Sequence, residues 1–209
     1  MKSPLPHKED KNTLRKIQIL KAAKGGIIKN GFHATTMAQI ADLSGLSVGV
    51  IYRYFASKEE IINEIVKMIV DKRLHILTTL AFNLDEIAAA LTARVGMGTH
   101  DEEFSADNIL MFEVMAEASR NAHVAAIYQE ADDRMFTALR EKFIAHQPDI
   151  DRETAEAQVE IMMSLFAGTD TRFLYKRKMN EVKLRTLHDK FLSSIFNVKS
   201  LQPGTGRGD

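Results

Sequence analysis

Apolar residues recur along this chain at helical intervals. Leu14, Ile17, Leu20 and Ile27/Ile28 fall on one stripe, and Ile61, Ile65, Met68 and Ile69 repeat the spacing. Turn punctuation is sparse. Prolines stand only at 4, 6, 148 and 203, and between Gly49 and Gly168 the only glycines are Gly96 and Gly98. A strand-rich chain of this length needs more breakers than that, so the pattern predicts an all-α fold.

Start and stop signals divide the chain into about nine helices. The first covers about 11–30 and ends at Asn30-Gly31, a favourable pair for a helix terminus. The second begins at Thr35/Thr36, where Thr36 and Gln39 have capping-box spacing, and stops before Gly45. A short third helix runs from Ser47 to near Arg53. The fourth starts at Ser57, whose box partner is Glu60, and continues to about Leu80. The remaining helices are expected at roughly 84–95, 105–119, 122–146, 152–177 and 181–197, with Pro148 separating the seventh from the eighth. The Gly-rich polar tail, 200–209, is expected to be disordered, and its closing Arg-Gly-Asp is read as coincidence.

A length of 209 residues predicts one or two domains. The absence of cysteine excludes a disulfide scaffold, a thiolate zinc site and a cysteine nucleophile. No apolar run reaches the roughly 18 residues of a membrane span, and no leader precedes the first charged residues, so a cytoplasmic protein without membrane contact is expected. The net charge of zero conceals a division. Residues 1–60 carry ten Lys/Arg against five Asp/Glu, and the remainder carries 18 against 23. A basic end on an acidic body suits a polyanionic partner at that end.

The motif that gives this charge a purpose lies between Gly31 and Ile61. Two short helices joined across Ser44-Gly45-Leu46 form a helix-turn-helix, with Gly45 allowing the tight turn and Ile40, Ala41, Leu46 and Ile51 filling the seam. Phe32 and Phe55 are expected in the same core. The second of these helices presents Ser47, Val48, Gly49 and Val50, a slim uncharged face that fits deep into a major groove. Tyr52, Arg53 and Tyr54 offer donors toward the flanking backbone. Lys58, in the first turn of the next helix, suits a phosphate oxygen.

This segment resembles the tetracycline-repressor (TetR) family of bacterial regulators. The resemblance is carried by Thr35-Thr36, Ile40-Ala41, Gly45-Leu46-Ser47, Gly49, Ile51-Tyr52, Phe55, Ser57-Lys58 and Ile61, all in register over about a quarter of the chain. It implies a DNA-binding domain at 1–60 (core 11–58) and a ligand-binding and dimerisation domain at 61–199. Thr35, Thr36, Tyr54 and Lys58 match phosphate-contacting positions, while Ser47, Val48, Gly49, Val50, Tyr52 and Arg53 match the recognition helix. The resemblance further implies an effector pocket within helices five to seven and a twofold bundle made by helices eight and nine. Two departures stand out. Gly25-Gly26 falls inside the first helix, at a cost of about 1 kcal/mol per glycine relative to alanine. Arg53 stands where aromatic or small residues are common, and is suited to a guanine.

Beyond the motif, the sixth helix is apolar on nearly all sides and is expected to be buried centrally. Methionines gather in this body, and Phe104, Met111, Met115, Tyr128, Met162 and Phe166 are the candidate wall of a pocket for a small apolar or amphipathic effector. Glu113 and Glu117, at i, i+4, are read as structural, with Glu117 paired to Arg120. His100, Asp101, Glu102 and Glu103 are adjacent in sequence and splay apart, so no metal site and no cofactor is expected. His123 lacks a partner at ligand spacing. No phosphate loop, Ser-His-Asp set or HExxH occurs, so no enzyme is expected. Leu184, Leu187, Phe191, Leu192 and Ile195 on the ninth helix, with the apolar run of the eighth, predict a homodimer interface. The leading expectation is a dimeric repressor released from a palindromic double-stranded DNA operator by its effector. The alternatives are an activator or ligand-independent regulator of the same fold, and a helical small-molecule-binding or enzymatic protein whose DNA module is vestigial.

Overall fold

The computed structural model describes residues 8–79, 84–96, 102–172 and 179–196. Among them nine helices follow one another: α1 (Lys8–Asn30), α2 (Met37–Ser44), α3 (Val48–Tyr54), α4 (Lys58–Thr79), α5 (Leu84–Gly96), α6 (Glu102–Ala118), α7 (Ala122–His146), α8 (Arg152–Asp170) and α9 (Glu181–Phe196). Three of the helix ends differ from expectation by several residues. α1 and α6 each begin three residues earlier than their patterns suggested. α8 ends at Asp170 rather than near 177, and its end is closed by Thr171, whose hydroxyl donates to the Gly168 carbonyl at 2.8 Å. The expected Phe173 and Leu174, Met97, His100, Asp101 and the tail 200–209 lie outside the described residues.

The chain divides into two compact units: Met1–Lys72 with Ala106–Asp132, and Arg73–Ser105 with Asp133–Asp209. The boundary expected from the sequence was at residue 60. The amino-terminal unit takes in most of α4, most of α6 and the start of α7. Its core is built from Ile19, Ala23 and Ile27 of α1, Ile40 of α2, Ile51 of α3 and Ile61 and Ile62 of α4, all fully buried. Leu110 and Val114 of α6 are equally buried. Only that side of α6 is apolar and enclosed, however. Met115 and Ala116 are exposed, and three polar side chains of the helix, Asp107, Asn108 and Glu117, are buried instead. The expectation of an all-round apolar helix is corrected: its interior face holds acids because those acids have cationic and amide partners, as described below.

The second unit packs Ile87 and Leu91 of α5, Leu139 and Phe143 of α7, Val159, Met162 and Phe166 of α8, and Leu192 and Phe196 of α9 into one cluster. The Phe143 and Phe196 rings lie 5.3 Å apart, tilted by 30°. Buried Gln158 of α8 donates to the Ile195 carbonyl of α9 at 3.0 Å. Arg185 of α9 reaches Asp85 at the start of α5 at 2.6 Å. Among the described residues no helix is long and apolar enough to cross a membrane.

Candidate nucleic-acid interface

α2 starts where its sequence says it should. Thr36 caps it in a full capping box: the Gln39 amide donates to the Thr36 hydroxyl at 3.2 Å, and the Thr36 amide donates to Gln39 Oε1 at 2.8 Å. It stops at Gly45, whose left-handed backbone (φ 66°, ψ 27°) sends its own amide and that of Leu46 back onto the last turn. A β-carbon is disfavoured in that conformation, which makes this glycine the pivot of the helix-turn-helix. Ser47 then caps α3 through Val50 N at 3.4 Å. Ile40 and Ile51, both fully buried, lock the two helices together.

That packing decides what α3 shows to the outside. Val48, Gly49, Tyr52 and Arg53 are exposed together with the cap Ser47, whereas Val50 and Tyr54 are half-buried. Tyr54 is tethered, its hydroxyl donating to Asn12 of α1 at 3.1 Å. The next helix also has its cap, with a variation. Glu60 N donates to Ser57 Oγ at 3.2 Å, but the Glu60 carboxylate accepts from Ala56 N at 2.6 Å, one residue before the expected position.

Besides Tyr54, two of the expected phosphate-contacting residues make contacts within the module. Thr35 is 0% exposed, and its hydroxyl donates to the Gly31 carbonyl at 3.0 Å. Its place is inside the module, where it ties the end of α1 to the start of α2. Lys58 turns inward too. Its ammonium donates to the Phe32 carbonyl at 2.7 Å and lies 4.1 Å from the Phe32 ring centroid. Burial lowers its pKa, against the opposing pull of Glu59 and Glu117. Thr36 remains at the surface, exposed and capping.

The Phe32 backbone is held from both ends. While Lys58 of α4 takes its carbonyl, Glu113 of α6 accepts its N–H at 3.1 Å. Beside it, buried Glu117 receives His33 Nε2 at 2.8 Å, the Arg120 guanidinium at 2.9 Å and Asn121 Nδ2 at 3.2 Å. Glu113 and Glu117 are thus structural, and Glu117 pairs with Arg120 as expected from their spacing. Buried Asp107, which sequence reasoning missed, accepts from Lys24 of α1 and from Lys72 of α4, the latter at 3.2 Å. Its only signal was an acid one turn before the buried Leu110 and Val114.

Gly26, read from sequence as a costly departure, has a structural reason. A β-carbon there would sit 3.0 Å from Thr35 Cγ2 and 3.1 Å from Leu43 Cδ1, so α1 and α2 meet across a bare backbone. Gly25 has open space around it.

The candidate pocket residues are divided between the two units. Met111, Met115 and Tyr128 belong to the first unit, and Phe104, Met162 and Phe166 to the second. Tyr128 Oη reaches Met115 Sδ at 4.0 Å, but Met115 is 48% exposed. Met162 and Phe166 are packed in the core cluster with Leu91 and Leu192. Apolar residues of α5, α7 and α9 close on both. Among the described residues no three His, Asp or Glu side chains are placed to hold a metal ion.

Residues 19–65 match the family described as bacterial regulatory proteins, tetR family. The chain is 33% identical over 121 residues to an uncharacterised HTH-type transcriptional regulator, YfiR, of Bacillus subtilis, covering 57% of this chain and 58% of that one. It is 31% identical over 110 residues to the HTH-type transcriptional regulator UidR of Escherichia coli K12, covering 53% and 55%. The matched stretch therefore spans little more than half the length of these relatives. Salmonella enterica GusR shares the fold with a TM-score of 0.68 at 22% identity, over 88% of this chain and 96% of that one. The capped helix-turn-helix, its glycine pivot and the in-register motif lie within the stretch, residues 19–65, that is similar to the tetR family of bacterial regulatory proteins.

Proposed function

We propose that this protein is a DNA-binding transcriptional regulator that works as a homodimer, a repressor released from a near-palindromic operator by a small apolar or amphipathic molecule. The observation that carries the DNA reading is the exposed, uncharged outer face of α3 behind a rigid α2–α3 turn. The basic residues Lys11, Arg15, Lys16 and Lys21 of α1, all exposed, supply positive charge on the same module. Support for the dimer comes from apolar side chains left open on α8 and α9: Ile161, Val182, Leu187 and Phe191 are exposed, Leu187 at 63%. A twofold axis places two readers on half-sites about 34 Å apart or a multiple of that.

The test is binding of the purified full chain to genomic fragments by fluorescence anisotropy at two salt concentrations, with sedimentation of the free protein. The expected result is a dimer that binds selected fragments and loses affinity steeply with salt, since each phosphate contact releases counterions. A monomer that binds no fragment at either salt overturns the proposal. The position of bound fragments across or beside promoters decides repression against activation. A thermal-shift screen of apolar and amphipathic compounds, with DNA affinity as the second readout, decides effector release.

A further inference from the structure

α3 turns a narrow chemistry outward. At about 100° per residue, Ile51 points into the core, while Val48, Tyr52, Gly49 and Arg53 follow one another around the opposite side. That arc carries no amide and no carboxylate, so it has neither the fork that pairs with adenine nor an acceptor for the cytosine amine. Gln39 of α2 does not supply the fork, because its carbonyl is committed to the Thr36 amide. Tyr54 and Lys58 are engaged with Asn12 and Phe32. What remains is the isopropyl group of Val48, 38% exposed, the bare backbone of Gly49, the Tyr52 phenol and the Arg53 guanidinium. Neither Tyr52 nor Arg53 has a side-chain partner among the described residues.

Gly49 adds an independent observation. Its φ is not positive, and a β-carbon placed on it would meet nothing within 4 Å. Glycine inside a helix also destabilises it relative to alanine. Among the described residues nothing calls for glycine at this position, so the bare backbone suits close approach by something outside the chain.

We infer that α3 reads each half-site through two bases, a thymine whose C5-methyl packs on Val48 and the Gly49 backbone, and a guanine whose O6/N7 edge is gripped by Arg53. This rests on the DNA-binding reading above and gives it a base preference. The helical rise sets Val48 and Arg53 about 7.5 Å apart along α3, about two base-pair steps. The methyl and the guanine edge are both major-groove features, matched by an apolar surface and a bidentate donor respectively.

The test begins with duplexes selected from a randomised pool by the full-length protein. Their affinities are compared with copies carrying deoxyuridine for thymine, which lacks the methyl, and 7-deazaguanine for guanine, which lacks N7. At the contacted positions deoxyuridine is expected to weaken binding about fourfold and 7-deazaguanine roughly fivefold or more. Val48→Ala should be less sensitive to deoxyuridine than the wild type. Arg53→Lys keeps the charge but loses the fork, and should become indifferent to 7-deazaguanine. Both side chains are exposed, so unchanged melting temperatures are expected. If the wild type binds selected duplexes yet ignores both replacements, or if the variants keep wild-type sensitivity, the base assignment is wrong while DNA binding stands. If no duplex is selected at all, the DNA reading fails and takes this inference with it.

Discussion

Glu117 of α6 meets His33, in the turn after α1, at 2.8 Å, with the carboxylate only 2% exposed. Arg120 and Asn121 donate to it, and Arg120 Nε also reaches His33 Nε2 at 3.1 Å, so a buried acid has partners from two stretches of chain. Removing it strands donors that point inward. Glu117→Ala is expected to lower stability by about 1–2 kcal/mol, below the range for a fully enclosed pair because His33 and Arg120 are largely exposed. Urea unfolding checks this, and a midpoint equal to the wild type's refutes it.

Gly25 and Gly26 are neighbours with opposite roles. Gly25→Ala fills open space on an exposed helical surface and should stabilise the protein by about 0.5–1 kcal/mol. Gly26→Ala presses on Thr35 and Leu43 and should destabilise it, with Thr35, fully buried, the less able of the two to move. The melting temperatures of the two variants are predicted to fall on either side of the wild type. Movement in the same direction would show that α1 and α2 adjust without strain.

The contrast between these glycines shows how much could be read in advance. The capping box of Thr36 and Gln39, the Gly45 pivot and the period of Ile40 and Ile51 are local signals, and the chain folds as they dictate. The contacts of Thr35 and Lys58 were not legible because their surroundings are tertiary. Thr35 is covered by α1, whose close approach depends on a hydrogen atom at Gly26, and Lys58 finds the Phe32 carbonyl across the module. The surroundings of the pocket candidates were hidden for a similar reason. A Met or Phe on a helix looks the same in sequence whatever packs on it, and Met162 lies in the core cluster.

Asp107 joins Lys24 of α1 to Lys72 of α4. Its carboxylate is nearly enclosed, and Lys24 is largely so, which leaves little water to take over when the acid is gone. Asp107→Ala is predicted to cost about 2–3 kcal/mol, more than Glu117→Ala, because one cation is left with poor access to solvent. Chemical denaturation of the two variants side by side tests the order; equal losses would contradict it.

His188 of α9 provides a pH dependence of known sign. The Thr92 hydroxyl gives its single hydrogen to the Ala88 carbonyl at 2.7 Å, so His188 Nδ1, 2.8 Å from that oxygen, must be the donor. Burial holds the pKa of His188 below its ordinary 6.5, with Asp189 pulling weakly the other way. The unfolded chain therefore binds a proton that the folded one refuses between the depressed value and 6.5. Stability rises with pH through that window and the penalty is complete below it. Relative to His188→Gln, the wild type should lose stability between about pH 7.5 and about pH 5. A difference that stays flat or grows on acidification would reverse the assignment.

The backbone of Phe32 is braced by Lys58 on its carbonyl oxygen and by Glu113 on its N–H. For anyone grafting this helix-turn-helix module onto a foreign body, a seam at residue 60 is a poor choice. A chimera joined there would leave Lys24 without Asp107, His33 without Glu117 and the Phe32 amide without an acceptor. The transplantable piece is discontinuous, and residues 106–132 must travel with it.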